Sequence, residues 1–431
     1  MSTPSLSPQA RYVVLFTAVG GLLFDGVELG LMPVASLSVS QSLLGEAFTP
    51  TLGGDWFARF TAALMLGAAV GGIFLGSLGD RIGRTRALGV SVLFYSVFAG
   101  LGAFAQTQEQ MLVLRFMVGL GVGGVWPNAV ALAAECWPDK SRPIIAGLMS
   151  AALNGGILML SQVARTWHIT PESWRWVFQL AAAPAVLGLL ALTVIPESPL
   201  WLAMRRSRGD EADSSKLTPT ACSRQRLPSP LPELFCPPLL RLTLIGILIG
   251  TIPMVGAWAA SKWMIPWADK AGGATAPGYK AITQGWWALG AVLGSFTGAQ
   301  IAAWLGRRRA YAIMSAGAAT LTALMFLGTA PLQASFLPIV FAQGFVATLF
   351  FGWLPLYLPE LFPTRVRAAG SGIAYNVGRF ATALGVFGAG ALFAAMGGSY
   401  PKVGATCGLI YLLGLIVIWW APDTTKKKLE E

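Results

Sequence analysis

Histidine and cysteine are scarce in this chain, which has one histidine and four cysteines among 431 residues. Protein-built metal sites depend mainly on these two residue types, so no metal site is expected. The cysteines form no Cys-x-x-Cys pair, so the sequence predicts neither a disulfide framework nor a dithiol redox centre. It also contains no nucleophile with a histidine base and no phosphate-binding glycine loop. We therefore expect no catalytic residues, no enzyme activity and no bound cofactor.

Charged residues are also few. They make up 11% of the chain, against 55% hydrophobic residues and a mean hydropathy of +0.63. A soluble protein of this length needs more charge to cover its surface, so the remaining class is a polytopic membrane protein. The N-terminus is short and polar and lacks the pattern of a cleaved signal peptide. We expect the first apolar run to remain as a membrane span.

Long apolar runs, by contrast, are abundant. A helix rises about 1.5 Å per residue and must cross about 30 Å of hydrocarbon, so roughly 20 apolar residues predict one span. Twelve such runs cover about 12–35, 56–79, 87–106, 110–135, 143–165, 174–195, 239–262, 280–304, 310–329, 334–358, 368–396 and 402–421. The predicted fold is an all-α membrane protein. It comprises a six-helix half at 1–195, a polar central linker at 196–238, and a six-helix half with a short charged tail at 239–431.

The few charges are unevenly distributed, with a formal net charge of +11. Lys and Arg cluster at both chain ends, in the linker and after even-numbered spans, for example at Arg84, Arg142 and 307–309. Basic residues concentrate on the cytoplasmic side of membrane proteins, so we expect both termini and the linker to be cytoplasmic. A basic face beside anionic lipid accounts for the excess charge, and no nucleic-acid partner is predicted.

The chain repeats itself at a shift of 225 residues. The segment from Glu135 to Arg142, after the fourth span, is Glu-Cys-Trp-Pro-Asp-Lys-Ser-Arg. The segment from Glu360 to Arg367, after the tenth, is Glu-Leu-Phe-Pro-Thr-Arg-Val-Arg. This match predicts two homologous six-span halves. Such halves usually enclose a site near the middle of the membrane and rock about it to give alternating access.

The loop between spans two and three carries the most specific motif. Residues 76–86 are Gly-Ser-Leu-Gly-Asp-Arg-Ile-Gly-Arg-Thr-Arg, which resembles the signature loop of the major facilitator superfamily. Supporting matches are Arg115-x-x-x-Gly-x-Gly in span four and Pro196-Glu-Ser-Pro after span six. The latter is similar to the branch holding sugar porters, organic-ion transporters and the aromatic-acid and metabolite proton symporters. The resemblance implies secondary transport by alternating access.

Charged residues around this loop and its repeat are expected to form a cytoplasmic gate. They are Asp80, Arg84, Glu135, Arg142, Glu197, Glu360 and Arg367. Asp80 is placed to pair with the start of a helix of the other half or with a neighbouring arginine. The glutamates are placed to accept hydrogen bonds from the arginines, and such pairs would hold the cytoplasmic side shut in the outward-facing state. The alternative is that these charges only orient the chain.

Ionisable residues deep inside a span are costly to insert and are therefore functional candidates. Asp25 and Glu28 lie three residues apart on one face of span one, and Arg115 lies at a similar depth in span four. A neighbouring arginine keeps a carboxylate ionised, so moving the arginine can switch proton binding. Asp25-Gly-Val-Glu28 also resembles the Asp-Gly-x-Asp element of aromatic-acid proton symporters. We predict that these three residues couple protons to transport; a purely structural ion pair is the alternative.

Arg379 is the second intramembrane candidate, about 16 Å into span eleven. Tyr375 and Asn376 share its helix face, and Asn154 occupies the equivalent position in the repeat. A guanidinium facing a central cavity suits a carboxylate, sulfonate or phosphate. These four residues are the predicted substrate-binding set. The alternative is that Arg379 pairs with Glu28 or a helix C-terminus and never meets substrate.

Other residues in the spans are less informative. Lys262 closes the seventh predicted span, where we expect it to extend towards the membrane interface. Trp126, Trp258, Trp286 and Trp287 fit either an aromatic pocket or an interfacial belt.

The preferred hypothesis is a proton-coupled symporter of a small organic anion, such as a carboxylate metabolite. Its partners would be substrate, protons and the lipid bilayer. We expect a monomer in a bacterial inner (plasma) membrane. A neutral sugar:proton symporter is the nearest alternative, although span seven lacks the paired glutamines expected of hexose porters. A cationic drug exporter and a receptor that binds without translocating remain open.

Overall fold

The computed structural model describes residues 6–137, 142–203, 205, 233–237, 239–273, 275–363 and 366–425. Within these residues, twelve helices are long and apolar enough to cross a membrane, and no β-strand occurs. We number them α1 to α12. They are Pro8–Ala47, Pro50–Ile82, Arg84–Gly102, Gln108–Cys136, Gly147–Thr166, Arg175–Thr193, Leu239–Gly272, Tyr279–Leu305, Arg307–Gly328, Phe336–Leu361, Gly370–Ala395 and Tyr400–Trp420. The predicted all-α architecture with twelve spans is confirmed.

α1 is longer than its hydropathy predicts. The predicted span ends near residue 35, but the helix continues to Ala47. The additional turns contain Ser36, Ser38 and Ser40, which make the sequence more polar yet are buried. The Ser38 hydroxyl donates to the carbonyl oxygen of Ile169 at 3.0 Å. The predicted span ended too early because the serines lower the hydropathy, although in the structure neighbouring parts of the chain cover them rather than water.

α7 also runs past its predicted end, to Gly272, and its winding changes on the way. Pro253 lies inside the helix, a π-helical turn follows at Gly256–Ala260, and a 3₁₀ turn at Ser261–Trp263 precedes the last regular turns. Ser261, Lys262 and Trp263 are all buried as a result. Irregular turns of this kind are frequent at functional sites.

The first six helices and the last six pack by the same scheme. We call α1–α6 the first set and α7–α12 the second set. α2 packs along α4 as α8 packs along α10, and α1 packs along α5 as α7 packs along α11. Between the sets, α2 contacts α11 and α5 contacts α8. An internal repeat related by a pseudo-two-fold axis produces this correspondence.

Glycine allows these helix pairs to approach closely. A Cβ atom on Gly71 of α2 would lie 1.9 Å from the carbonyl oxygen of Leu120 on α4. In the second set, a Cβ on Gly298 of α8 would lie 2.0 Å from the carbonyl oxygen of Leu349 on α10. Helices in lipid gain little from hydrophobic association, so close backbone packing is a main source of their stability.

Large apolar side chains cover the outside of the bundle. Phe16, Phe74, Trp304 and Leu384 are each more than two thirds exposed. Such a surface is suited to lipid tails rather than water. The chain is therefore an integral multi-pass membrane protein. Successive helices alternate in direction, so the arginine-rich turns after α2 and α8 lie at the same face as the start of α1 and the end of α12. We call this face the basic end and the other the opposite end.

Candidate functional site

A cavity of about 330 Å³ lies between the two sets of helices. α1, α2, α4 and α5 line it from the first set, and α7, α8, α10 and α11 from the second. Its walls reach Pro127 on α4 and Pro359 on α10, near the basic ends of those helices. The volume is typical of a site for a small organic molecule.

Towards the opposite end, the two sets meet in a cluster of aromatic rings. Trp263 of α7 contacts Phe57 of α2, with ring centroids 5.1 Å apart, and stacks on Phe393 of α11 at 4.9 Å. These three side chains are at most 1% exposed. Lys280 adds a polar contact between the sets by donating to the Ser38 hydroxyl at 3.1 Å. The cavity is therefore closed at the opposite end and extends towards the basic end.

Arg379 is the only cation among the described residues that line the cavity. Its Nη1 donates to the carbonyl oxygen of Ala68 on α2 at 3.3 Å, and its guanidinium lies 5.1 Å from the ring centroid of Tyr375. A Cβ on Gly72 would lie 3.2 Å from the same Nη1, so glycine leaves room for the arginine to reach across. This single long hydrogen bond uses one of the five N–H donors of the guanidinium. The remaining N–H donors are available to an anion.

Asp25 is the only acidic residue among the described cavity-lining residues. It is 2% exposed, and its Oδ1 has no hydrogen-bond partner in the described part of the chain. The charges of Arg379 and Glu28 both act on it. The cavity lining thus contains one carboxyl group, of Asp25, and one guanidinium, of Arg379. No hydrogen bond joins the two among the described contacts.

Glu28 and Arg115 form an ion pair one helical turn behind the cavity wall. The Nη2 of Arg115 donates to the Oε2 of Glu28 at 3.0 Å, and both side chains are 1% exposed. The Oε1 of Glu28 and the hydroxyl of Tyr95 have no hydrogen-bond partner among the described residues. The structure therefore brings the three predicted proton-coupling residues together, but only Asp25 lines the cavity.

The four predicted substrate-binding residues, Arg379, Asn376, Tyr375 and Asn154, all line the cavity. Asn154 already has a structural contact, because its Nδ2 donates to the Ser295 hydroxyl of α8 at 3.3 Å. The alternative partner proposed for Arg379, Glu28, is bonded to Arg115 instead.

At the basic end of the first set, Arg84 connects α2, α3 and α4. Its Nε donates to Glu135 at 3.0 Å, and its Nη1 contacts Asp80. The Ser198 hydroxyl, just after α6, donates to the other oxygen of Glu135. Four segments of one set therefore meet at this cluster.

Glu197 contacts backbone groups, whereas hydrogen bonds from Arg84 or Arg142 were predicted; the side chain of Arg142 lies outside the described residues. Its carboxylate accepts hydrogen bonds from the backbone N–H groups of Thr85 at 2.9 Å and Arg86 at 3.3 Å, in the first turn of α3. Gly83, which precedes α3, has φ +112° and no side chain that could cap the helix. Glu197 therefore supplies the N-cap from a distant part of the chain, rather than binding the Arg84 side chain.

The second set repeats this cluster. Arg307 donates to Glu360 at 2.7 and 3.1 Å, and the Thr424 hydroxyl, just after α12, donates to the same carboxylate. The Thr425 hydroxyl accepts from the Arg307 N–H and donates to Asp423. Hydrogen bonds from Thr425 hold the pKa of the Asp423 carboxyl below its usual range. The segment just after α12 is thus fastened to the start of α9.

The described ion pairs at the basic end, Arg84–Asp80, Arg84–Glu135 and Arg307–Glu360, each join residues of one set. Of the two partners expected for Asp80, the start of a helix of the other half or a neighbouring arginine, the arginine is the one found among the described residues. These pairs stiffen each set instead of tying the sets together. Arg367 begins the backbone helix that leads into α11, and the side chain of Arg142 lies outside the described residues.

The model of the Major Facilitator Superfamily matches residues 17–386 of this chain. The chain belongs to this superfamily. The resemblance found at residues 76–86 is therefore confirmed. The protein is a membrane transporter and not an enzyme, as its relatives also indicate.

Similar proteins are named as transporters of organic compounds. A cis,cis-muconate transport protein from Acinetobacter baylyi is 29% identical over 394 residues, covering 91% of this chain and 89% of that protein. A gallate transporter from Pseudomonas putida is 28% identical over 426 residues, covering 94% and 89%. The inward-open structure of the xylose transporter XylE from E. coli matches with a TM-score of 0.70 at 19% identity over 98% of both chains. That last likeness shows the shared fold.

Two features of the transporter were not predicted from the sequence. Lys262 is buried rather than extended towards the interface, because α7 continues past it for another ten residues. The second is the contact of Thr424 with Glu360, which repeats that of Ser198 with Glu135. A signal for it exists, since Pro-Glu-Ser at 196–198 and Pro-Asp-Thr at 422–424 follow α6 and α12.

Proposed function

We propose that this transporter couples proton movement to the transport of a small organic anion through the central cavity by alternating access. The observation that carries the proposal is the pairing of one available guanidinium, Arg379, with one unpartnered carboxyl group, Asp25, at the wall of the same cavity. A substrate carboxylate would bind Arg379 in bidentate fashion. Tyr375, Asn376 and Asn154 would orient it.

Charge balance supplies the coupling. With Asp25 ionised, the fixed charges on the cavity wall cancel. An anionic substrate would add a negative charge in a region of low dielectric, where uncompensated charge is costly. A proton on Asp25 removes this cost. Substrate and proton would therefore bind together and leave together.

Glu28 and Arg115 would support this step from behind the cavity wall. The negative charge of Glu28 acts on Asp25 from one helical turn away. Arg115 neutralises Glu28 through a single hydrogen bond at 3.0 Å. A small displacement of Arg115 would change the field at Asp25, so this pair links helix movement to proton binding.

The names of the relatives support an organic acid as substrate. Cis,cis-muconate and gallate are both carboxylates, and the proteins named for them cover most of this chain. A neutral sugar is less well supported. Neither Gln284 nor Gln343 is among the described residues that line the cavity, and their amide groups bond to Ser161 and Trp287 respectively.

The remaining assignments belong to the same proposal. The basic end would face the cytoplasm with both termini, so that the described state is open to the inside. The two clusters at this end would keep each set rigid while the halves, 1–195 and 239–431 with the linker 196–238 between them, rock about the cavity. We propose that the protein works as a monomer in a bacterial plasma membrane, without cofactor or nucleic acid.

Counterflow and pH-jump uptake in proteoliposomes test this function. We expect exchange and proton-driven accumulation of monocarboxylates or aromatic acids, but not of hexoses, pentoses or organic cations. Accumulation of a neutral sugar with carboxylates inert would contradict the proposal. Binding without counterflow would identify a receptor instead.

A further inference from the structure

Lys262 is a buried cation without an acidic partner. It is 0% exposed, and its Nζ has no hydrogen-bond or ion-pair partner in the described part of the chain. Lysine is almost never fully buried unless it is paired. Another lysine nearby, Lys280, follows the usual pattern by donating to Asp269 at 3.0 Å. An unpaired buried ammonium group is therefore unusual here.

The surroundings of Lys262 belong to the cavity. Its Nζ lies 3.3 Å from the ring centroid of Trp287 and 5.4 Å from that of Trp258. Both tryptophans line the cavity. Aromatic faces attract a cation but do not neutralise its charge. The ammonium group thus adjoins two side chains that line the cavity.

Lys262 and Arg379 lie at different heights along the bundle. A Cβ on Gly378 of α11 would lie 3.5 Å from backbone atoms of Gly250 and Thr251, so Arg379 is level with this part of α7. Lys262 follows Thr251 by eleven residues, or about 16 Å of helix. α7 and α11 run in the same direction, and side chains lean towards the N-terminus of a helix, so both cations lean towards the basic end. Their separation along the bundle is therefore about 16 Å.

We propose that Lys262 is a second anion-binding residue, and that the substrate carries two acidic groups, one held by Arg379 and the other by Lys262. This inference rests on the proposed function. If each acidic group lies about 3 Å from its cation along this direction, about 10 Å remains between the two groups. That spacing fits a dicarboxylate with a long chain or two linked rings between its carboxylates, lying beside Trp258 and Trp287.

The balance of charge supports a dianion. The charged side chains at the cavity and immediately behind it are Asp25, Glu28, Arg115, Arg379 and Lys262. With all of them ionised, one positive charge is in excess. A dianion together with one proton on Asp25 brings the whole assembly to neutrality. A monoanion with the same proton leaves the positive charge of Lys262 uncompensated.

Binding of diacids and their monomethyl esters to the purified transporter tests this inference. The ester keeps the carbon skeleton and removes one charge. Succinate, adipate and azelate, each with its half-ester, provide three spacings, of which azelate is the longest and is expected to show the preference. In the wild-type protein we expect at least one diacid to bind about tenfold more tightly than its half-ester. In Lys262→Met, the diacid and the half-ester should bind equally, while the half-ester keeps its wild-type affinity.

Two controls separate binding from structure. Lys270→Met removes an exposed lysine of the same helix, beside Tyr400, and should leave the diacid preference intact. The melting temperature of substrate-free Lys262→Met should not fall, because methionine keeps the apolar stem and removes an unpaired buried charge. Lys262→Arg should retain part of the preference.

The outcomes distinguish the two proposals. If half-esters bind as tightly as every diacid in the wild-type protein, or if Lys262→Met weakens both alike, Lys262 has only a structural role. If neither diacids nor monoacids bind while a neutral or cationic compound does, the organic-anion function itself is wrong, and this inference with it.

Discussion

Asp25 and Glu28 are three residues apart on one helix, yet their surroundings differ. Glu28 is bonded to Arg115 within the first set, whereas Asp25 lines the cavity with an unpartnered oxygen. One acid is therefore held by a permanent partner, and the other is free to exchange a proton with the cavity. At the scale of residues, function depends on which carboxyl group lines the cavity and which is bonded to a neighbouring helix.

Asp25→Asn should abolish accumulation of substrate driven by a proton gradient while sparing exchange. The amide cannot take up a proton, but it preserves the size of the side chain. Counterflow and pH-jump uptake in the same proteoliposomes measure the two activities. Asp55→Asn, which removes the partner of Arg59 away from the cavity charges, is the control and should leave both unchanged. Gradient-driven accumulation by Asp25→Asn at the wild-type level would show that the proton is carried elsewhere.

Glu28→Gln should also lose coupling, with a lower melting temperature. Loss of the Glu28 carboxylate leaves Arg115 buried at 1% exposure without its acidic partner. Breaking a buried ion pair in this way lowers the free energy of unfolding by about 3–5 kcal/mol. Thermal melting in detergent, compared with Asp25→Asn, measures the difference. Equal melting of the two variants would argue against a structural contribution of the Glu28–Arg115 pair.

Arg379→Lys should weaken substrate binding about tenfold or more, although the charge is retained. Lysine lacks the planar fork that binds a carboxylate with two parallel hydrogen bonds. Its shorter head group is also less able to reach across from α11 to α2. Titration of a transported acid into the purified variant gives the dissociation constant. An unchanged constant would assign Arg379 to the contact with Ala68 alone.

At the scale of helices, small residues decide how closely the elements approach. The turn from α2 to α3 is a single residue, Gly83, with φ +112°, and Gly306 between α8 and α9 has φ +85°. Each lies where a distant chain segment caps the next helix, from Glu197 in the first set and Thr425 in the second. The two glycines therefore form tight turns but have no side chain to cap the next helix. Residues that follow α6 and α12 supply the caps instead.

Gly71→Ala should lower the stability of the transporter by about 2 kcal/mol or more, because the added methyl group would overlap the carbonyl oxygen of Leu120. Gly155→Ala is the matched control, since no heavy atom lies within 4 Å of its Cβ position. That variant should be neutral or slightly stabilising, because alanine favours helix. Melting temperatures of both variants in one detergent check the prediction, and similar losses would contradict it.

At the scale of the whole molecule, the contacts between the two sets differ at the two ends. Aromatic rings and Lys280 join the sets at the opposite end, whereas the described ion pairs at the basic end stay within each set. The molecule can therefore open at the basic end without breaking these pairs. Closing this end requires new contacts between surfaces that are already rigid.

A cysteine at Gly372 should react with a membrane-impermeant thiol reagent supplied from the cytoplasmic side. Gly372 lines the cavity near the basic end, and no atom lies within 4 Å of its Cβ position. A cysteine at Ala389 of the same helix, which is 2% exposed, should react poorly. Gly372→Cys and Ala389→Cys in a cysteine-free background, labelled in inverted and right-side-out vesicles, provide the comparison. Preferential labelling from outside would reverse the proposed orientation.

The sequence by itself determined the number of spans, the family and four of the buried charges. The family follows from the resemblance of the motif at residues 76–86. The spans and the four charges follow from composition along the chain, because lipid requires about 20 apolar residues per span and makes any charge within them costly. Asp25, Glu28, Arg115 and Arg379 could be selected for this reason alone.

Only the tertiary structure decided which of these charges share a space. It puts Asp25 and Arg379 in the lining of one cavity, encloses Glu28 with Arg115, and buries Lys262 against Trp287. These relations depend on helix rotation, on the irregular winding of α7 and on contacts between residues far apart in the chain. Hydropathy along one helix contains no information about them, since it records how apolar each residue is and not which neighbour covers it.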